Sequence, residues 1–286
     1  MNELLSISEL ESMASIFRGK RGNAFAQWLK DVLKVSRVEQ INDSISRWKG
    51  ADFAKATNEA AGVAYTVNGL PREEAIEHFK AVLPEGPFIT ISNHPIGSLD
   101  GTILIDFMGH VRDDFKVMVN EILARFESLR PSLIRVNPNG NDIAAPTAQS
   151  ISGVREAMAL LKDGHVLGLF PAGAVSDLKL GRRPEGEPRV RDREWQMSVI
   201  RLIRKMKVPV LPVRFLDGNS RFYYSLGLID WRVRLLRLPS EMLNKAGKTL
   251  RLAVGPIISP EKIAEAANLQ DLRNFLRASV YSLTDL

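Results

Sequence analysis

Four histidines occur in the 286 residues, at positions 78, 94, 110 and 165. His94 has the setting of a reactive group. It follows the apolar run FITIS and opens NHPIGSLDG, just past the end of a predicted strand, where α/β sheets present ligand-binding groups. Asp100 comes six positions later. Six positions span about 240° of a continuous helix or about 20 Å of a continuous strand, so the two side chains meet only across an irregular turn. Pro95 interrupts a helix there, and Gly97 lets the chain fold back. A carboxylate against one imidazole nitrogen sets the tautomer and leaves the other nitrogen to accept a proton. Such a pair deprotonates a hydroxyl or amine for attack on a carbonyl. Taken alone, Asn93, His94 and Asp100 serve equally well to cap a helix and tie down a turn. No Gly-x-Ser-x-Gly elbow and no cysteine offers a covalent nucleophile, and Ser98 is near in sequence only. Direct transfer onto an activated acceptor is the simpler chemistry. His78 lies in a polar helical stretch, and His110 and His165 flank predicted turns; these three read as surface or capping residues.

Patterning supplies the elements that position the pair. Alternating or continuous apolar runs predict strands at 63–67, 88–91, 117–119, 133–136, 166–170, 208–215 and 250–254, with helices at 72–82, 147–161 and 194–207 between them. Alternation of this kind implies an α/β fold, a mostly parallel or mixed central sheet flanked by helices. Residues 1–60 are helical in period and form an N-terminal cap, and 61–286 form the α/β domain. Most of Phe17, Phe25, Trp28 and Trp48 of the cap are expected in the core or packed against the domain, not in contact with lipid. Loops are expected at 137–146 and 181–188.

Composition narrows the chemistry. Apolar residues make up 45% and charged residues 25%, ordinary values for a folded domain. The absence of cysteine excludes disulfides, thiolate catalysis and iron–sulfur clusters. No secretory signal and no membrane span are expected. The net charge of +6 is uneven: residues 179–251 hold 18 basic against 7 acidic side chains. An anionic partner is implied, whether a membrane, a nucleic acid or a phosphorylated ligand.

At NHPIGSLDG the chain resembles the glycerolipid acyltransferase superfamily, the PlsC-like lysophospholipid acyltransferases, whose block is Asn-His-x-x-x-x-Asp. The extra residue before Asp100 resembles a bacterial branch labelled hemolysin-like, which includes acyltransferases of aminolipids. LFPAGAVS at 169–176 is similar to that family's Phe-Pro-Glu-Gly-Thr-Arg-Ser block, and VPVLPV at 208–213 to its Val-Pro-Ile-x-Pro-Val block. RDREWQMSVIRLIRK stands where this branch has an Asp and a Trp before a helix, and LIRVNP, with Arg135, where the family has its acceptor-phosphate arginine. The resemblance covers about 63–258. It implies transfer of a fatty acyl group from an acyl-carrier-protein or acyl-CoA thioester to a lysolipid or aminolipid, with no cofactor and no metal. His94 would be the base and Asp100 its orienting partner. Asn93, Gly97, Ser98, Phe170, Pro171, Ala172 and Gly173 would border the substrates, with Arg135 and Arg193 as candidate anion contacts. Family Glu is Ala172 here and family Arg is Val175. A valine cannot pair with a phosphate, which favours an acceptor without one; a phosphatidate-forming enzyme is the alternative.

Residues 223–243 interleave Tyr224, Trp231 and Leu235 with Arg232 and Arg234. That mixture suits an anionic membrane surface, or a buried element whose arginines line a pocket. The location implied is cytoplasmic, peripheral on the inner face of the cell membrane. A non-enzymatic anion or nucleic-acid binder would use the basic segment alone. It leaves the His94 block without a role and shows no recognition motif, so no nucleic acid is expected.

Overall fold

The computed structural model describes residues 18–120, 126–136, 148–181, 187–229 and 231–285. The expected helix at 4–13, Phe17 and the loop at 137–146 lie outside these residues, as does most of the loop at 181–188. Three helices come first: α1 (Gly19–Val32), α2 (Val35–Ile45) and α3 (Gly50–Ala60). There follow β1 (Val63–Val67), β2 (Leu70–Pro71), α4 (Arg72–Val82), β3 (Ile89–Ser92), α5 (Ser98–Val111), β4 (Lys116–Asn120), β5 (Leu133–Val136) and α6 (Ala148–Lys162). Next are β6 (Leu167–Leu169), a small hairpin of β7 (Asp177–Leu178) and β8 (Val190–Arg191), α7 (Met197–Met206) and β9 (Val210–Phe215). The chain ends with α8 (Arg221–Ile229), α9 (Trp231–Leu236), α10 (Leu238–Leu243), β10 (Lys248–Val254), α11 (Pro260–Ala264) and α12 (Leu269–Tyr281).

Eight strands form one mixed sheet in the order β2-β1-β10-β9-β3-β6-β4-β5. From β9 to β5 all pairings are parallel, and β10 with β9 and β1 with β2 are antiparallel. The period of two divides β9 between the two faces. Leu211, Val213 and Phe215 join a core with Phe53, Phe79, Ile103 and Phe107, while Val210 joins another with Leu161, Ile203, Leu272 and Leu276. Helices therefore cover both faces, as buried parallel strands require. All four residues of β3, between β9 and β6, are buried, and its C-terminal end opens where the site lies.

The cap does not bury its aromatics as expected. Trp28 is 56% exposed, and Phe25 and Trp48 are also exposed. Contact with the domain runs instead through α3, where Phe53 and Ala54 are buried. Gly109 of α5 lets α3 approach closely, because a Cβ there would come within 2.7 Å of Ala51 Cβ.

A polar knot fastens this helix pair. Buried Asp106 accepts hydrogen bonds from Arg72 Nε at 3.0 and 3.1 Å and from Asn58 Nδ2 at 3.3 Å. His110, expected beside a turn, is in the last turn of α5. Its Nδ1 is 3.1 Å from Asp106 Oδ1 and its Nε2 is 3.2 Å from Asp52 Oδ1. The hydrogen bond to Asp106 raises the pKa of His110 against the opposing effect of burial. Burial alone would raise Asp106, but hydrogen bonds from His110 and Arg72 and the charge of Arg72 hold it below the usual carboxylate value.

Linkage fixes the expected pH response. The contribution of His110 is complete below its unfolded pKa of about 6.5 and is lost as pH rises through the elevated folded value. That of Asp106 is present above about 4 and is lost as pH falls through the depressed one. Thermal melts should therefore show greatest stability between these limits, with the alkaline decline flattened in His110→Gln. Identical alkaline slopes for the two proteins would contradict this account.

Candidate active site

The parallel strand β3 stops at Ser92, and Asn93 closes its end. The Asn93 side chain pairs twice with the Phe215 main chain: Oδ1 accepts from Phe215 N at 2.7 Å and Nδ2 donates to Phe215 O at 2.9 Å. Both polar groups of this amide are thus used in joining β3 to β9. His94 follows at the mouth of the sheet. The chain then folds back through Pro95, Ile96 and Gly97 into α5. Gly97 has φ 101°, and a Cβ on it would meet Leu238 Cδ2 at 2.8 Å. The positive φ favours glycine there, and a larger residue would also have to displace the tip of Leu238.

Asp100 stands in the first turn of α5 and is fully buried. Its Oδ2 accepts the N–H groups of Ile96 and Gly97 at 2.7 and 2.9 Å and lies 3.0 Å from His94 Nδ1. The two readings left open by the sequence coexist, because one carboxylate oxygen caps the turn and touches the imidazole. The ring N–H is not aimed squarely at that oxygen, so the contact is close without being a well-aligned hydrogen bond. Among the described residues nothing hydrogen-bonds His94 Nε2, and the Phe170 ring lies 4.5 Å from the imidazole, centroid to centroid.

The segment after β6 forms the adjoining wall. Gly173 N donates to Phe170 O at 2.9 Å, closing a tight turn. The space that a Cβ would fill at Gly173 is taken by the Gln196 amide, so that glycine admits a side chain of this protein, not the ligand suggested by its sequence. Pro171 O accepts from Gln196 N at 2.9 Å, and Ala172 is buried. Val175, at the family's arginine position, is buried against Tyr223, Tyr224 and Leu238.

The remaining candidates are dispersed. Ser98 is half-buried at the start of α5. Arg135 is exposed on β5, the edge strand farthest from β9. Arg193 Nε donates to Asp177 Oδ2 at 2.9 Å. Tyr224 and Arg234, expected at a membrane interface, are 4% and 2% exposed. Arg234 donates to Asp177 Oδ1 at 2.6 Å and to the carbonyls of Ser176 and Val175, so its charge is spent inside the protein. Leu235 is half-buried, and the side chains of Trp231 and Arg232 lie outside the described residues.

Tyr224 serves the site from within. Its hydroxyl donates to Pro95 O at 2.6 Å, and burial raises its pKa, which keeps it a donor. Asn219 Nδ2 donates to Ile96 O at 2.8 Å, and buried Lys245 donates to Asn219 Oδ1 at 3.1 Å. These braces were missed by motif reading. The signal for Asn219 was its place in a turn four residues beyond β9, at the same end of the sheet as His94. Among the described residues no three His, Asp or Glu side chains gather as a metal site.

The chain is similar to known proteins along most of its length. The lyso-glycine lipid O-acyltransferase of Phocaeicola vulgatus is 26% identical over 294 residues, covering 99% of this chain and 97% of that protein. Its namesake from Bacteroides thetaiotaomicron is 28% identical over 261 residues, covering 87% of each. The crystal structure of the 1-acyl-sn-glycerophosphate (LPA) acyltransferase PlsC from Thermotoga maritima is 15% identical, covers 90% of this chain and 86% of that one, and superposes with a TM-score of 0.47. Residues 9–286 match the family model described as Acyltransferase, and the chain belongs to that acyltransferase family.

Proposed function

We propose that the protein transfers a fatty acyl group from a thioester of an acyl carrier protein or coenzyme A to a hydroxyl of a lyso-aminolipid at a membrane surface. The observation that carries this reading is the 3.0 Å contact between His94 Nδ1 and Asp100 Oδ2, with Nε2 left to the substrate. Nε2 removes the acceptor hydroxyl proton as the oxygen attacks the thioester carbonyl. Asp100 stabilises the imidazolium that forms. The tetrahedral intermediate collapses, the carbon–sulfur bond breaks, and the proton on His94 passes to the departing thiolate.

His94→Ala should lower kcat by about 10²–10⁴-fold, the usual scale for a general base, in a protein with an unchanged melting temperature. Asp100→Asn should also be slow, since its amide can hold the wrong imidazole tautomer. Wild-type turnover in folded His94→Ala would overturn the mechanism.

The acceptor class is argued from charge. At the family's phosphate position stands buried Val175; Arg234, which donates to the Val175 carbonyl, and Arg193 are both engaged by Asp177. The two bacterial relatives carry the name of an enzyme acting on a lyso-glycine lipid. A charge-assisted hydrogen bond contributes about 1.5–3 kcal/mol. The kcat/KM for a lyso-aminolipid should exceed that for lysophosphatidate by about tenfold or more. The reverse preference, abolished by Arg135→Ala, would identify a phosphatidate-forming enzyme.

Membrane contact is assigned to exposed apolar groups in place of the buried Tyr224 and Arg234. Phe222, Leu228 and Ile229 of α8 are exposed, Ile229 at 83%, as are Trp28 and Val32 of α1. The helix α10 bridges the two elements: Ser240 donates to Leu33 O at 2.8 Å and Glu241 accepts from Ser220 at 2.7 and 2.8 Å. Exposed Lys20, Arg21 and Arg221 flank these residues in sequence. No helix among the described residues is long and apolar enough to cross a membrane. The exposed apolar side chains beside these basic residues are what supports peripheral binding, which we assign to the inner face of the cell membrane. Flotation with anionic liposomes should be salt-sensitive and weakened by Ile229→Glu and Trp28→Glu. Failure to bind anionic or neutral vesicles would remove this assignment.

A further inference from the structure

A buried carboxylate from outside the His94 turn is bonded to the main chain of the histidine. Asp192 follows β8 and is 2% exposed. Its Oδ1 accepts the His94 N–H at 3.1 Å and the Ser176 hydroxyl at 2.6 Å, and its Oδ2 accepts the Trp195 indole N–H at 3.0 Å. Ser176 N in turn donates to His94 O at 2.8 Å. The peptide groups on both sides of the His94 Cα are therefore held by one Ser176–Asp192 unit. Asp192 is itself anchored to the C-terminal helix: its N–H donates to Tyr281 Oη at 2.8 Å, and its carbonyl accepts from Arg277 at 3.1 Å.

The side chain of His94 has no such grip. Its Nδ1 touches Asp100 without good alignment, and its ring leans on Phe170. The direction of the imidazole therefore depends on where the main chain puts the Cα. Hydrogen bonds to a carboxylate are about twice as strong as neutral ones, and a buried carboxylate gathering three donors is a stiff point of attachment. We propose that Asp192 is a positioning residue for the acyl transfer, fixing the His94 main chain, together with Ser176 and Trp195, so that the ring meets Asp100 and the acceptor at once. This rests on the reading of His94 as the base. In Asp192→Asn the shape persists, but the amide group must face either Trp195 N–H or the His94 and Ser176 donors, and at least one attachment is lost.

The test uses the full chain carrying ¹³Cε1-labelled histidine. With only four histidines, the His94 signal is assigned by its loss in His94→Ala. Melting temperature, kcat and acceptor KM are measured alongside. Asp192→Asn should lower kcat on the order of 10²-fold, the cost of a misplacement of about 1 Å, with acceptor KM changed by less than about twofold. The His94 signal should move while those of His78, His110 and His165 stay. Trp195→Phe should act in the same direction to a smaller extent. If Asp192→Asn does not fold, Trp195→Phe and Ser176→Ala decide by the same readouts. Folded variants with wild-type kcat and an unmoved His94 signal would overturn the proposal. A kcat loss that only tracks the folded fraction, with the His94 signal in place, would do the same and leave Asp192 a structural tie. Inactive His94→Ala beside wild-type Asp192→Asn would reject the positioning role alone, whereas active His94→Ala would reject the base and the positioning role together.

Discussion

A reactive imidazole just beyond a strand end has no ladder to hold it. The turn from His94 to Gly97 has to be irregular, since only an irregular path returns the chain to Asp100, and an irregular turn leaves its peptide groups without regular partners. Buried peptide groups left unpaired are costly. In this protein almost every one of them finds a partner from elsewhere. Asp100 takes the N–H groups of Ile96 and Gly97, Tyr224 and Asn219 take the carbonyls of Pro95 and Ile96, and Asp192 and Ser176 take the two sides of His94. Satisfying that turn dictates which loops must gather at the mouth of the sheet.

The sheet order follows from the same need. With β3 between β9 and β6, the loops after all three parallel strands emerge together: the His94 turn after β3, the Phe170–Ser176 segment after β6, and the Asn219 turn after β9. The crossover helices bury both faces, so the site lies at the strand ends, where loops can change without disturbing the cores. The knot of Asp106, Arg72, His110 and Asn58 is set along α5 from Asp100, fastening the far half of the same helix to α3 and α4. The helix that presents the orienting carboxylate is thereby pinned at both ends.

Charge is arranged for structure near the site. The basic excess over 179–251 suggests an anionic partner, but Arg193 and Arg234 of that segment are bound to Asp177, and Arg277 of α12 is bound to Glu187 and to the Arg193 carbonyl. The ring that lies against the histidine is Phe170, with Phe215 beyond it. Ligand sites are usually lined in this apolar way.

The positions of α5, the β7–β8 hairpin and the helices α8–α12 became clear only in the structure, but local patterning was enough to determine the seven longer strands, the three helices near 72–82, 147–161 and 194–207, the mixed α/β class and the His94–Asp100 pair. Those features depend on period-two burial and on a turn only six residues long, so they are written in neighbouring residues; the helix at 72–82 and the strand at 133–136 occur at those limits. Tertiary structure alone decided which side chains brace the turn, because Asp192, Asn219 and Tyr224 reach it across about a hundred residues or more of chain. It also decided the fate of amphipathic residues. Tyr224 and Arg234 went inside because the His94 turn and Asp177 offered them buried partners. Trp28 stayed outside because α3, not α1, has the small Ala51 face that fits against Gly109. An aromatic or an arginine can serve a core or a surface equally well in composition; only the partners assembled around it fix the choice.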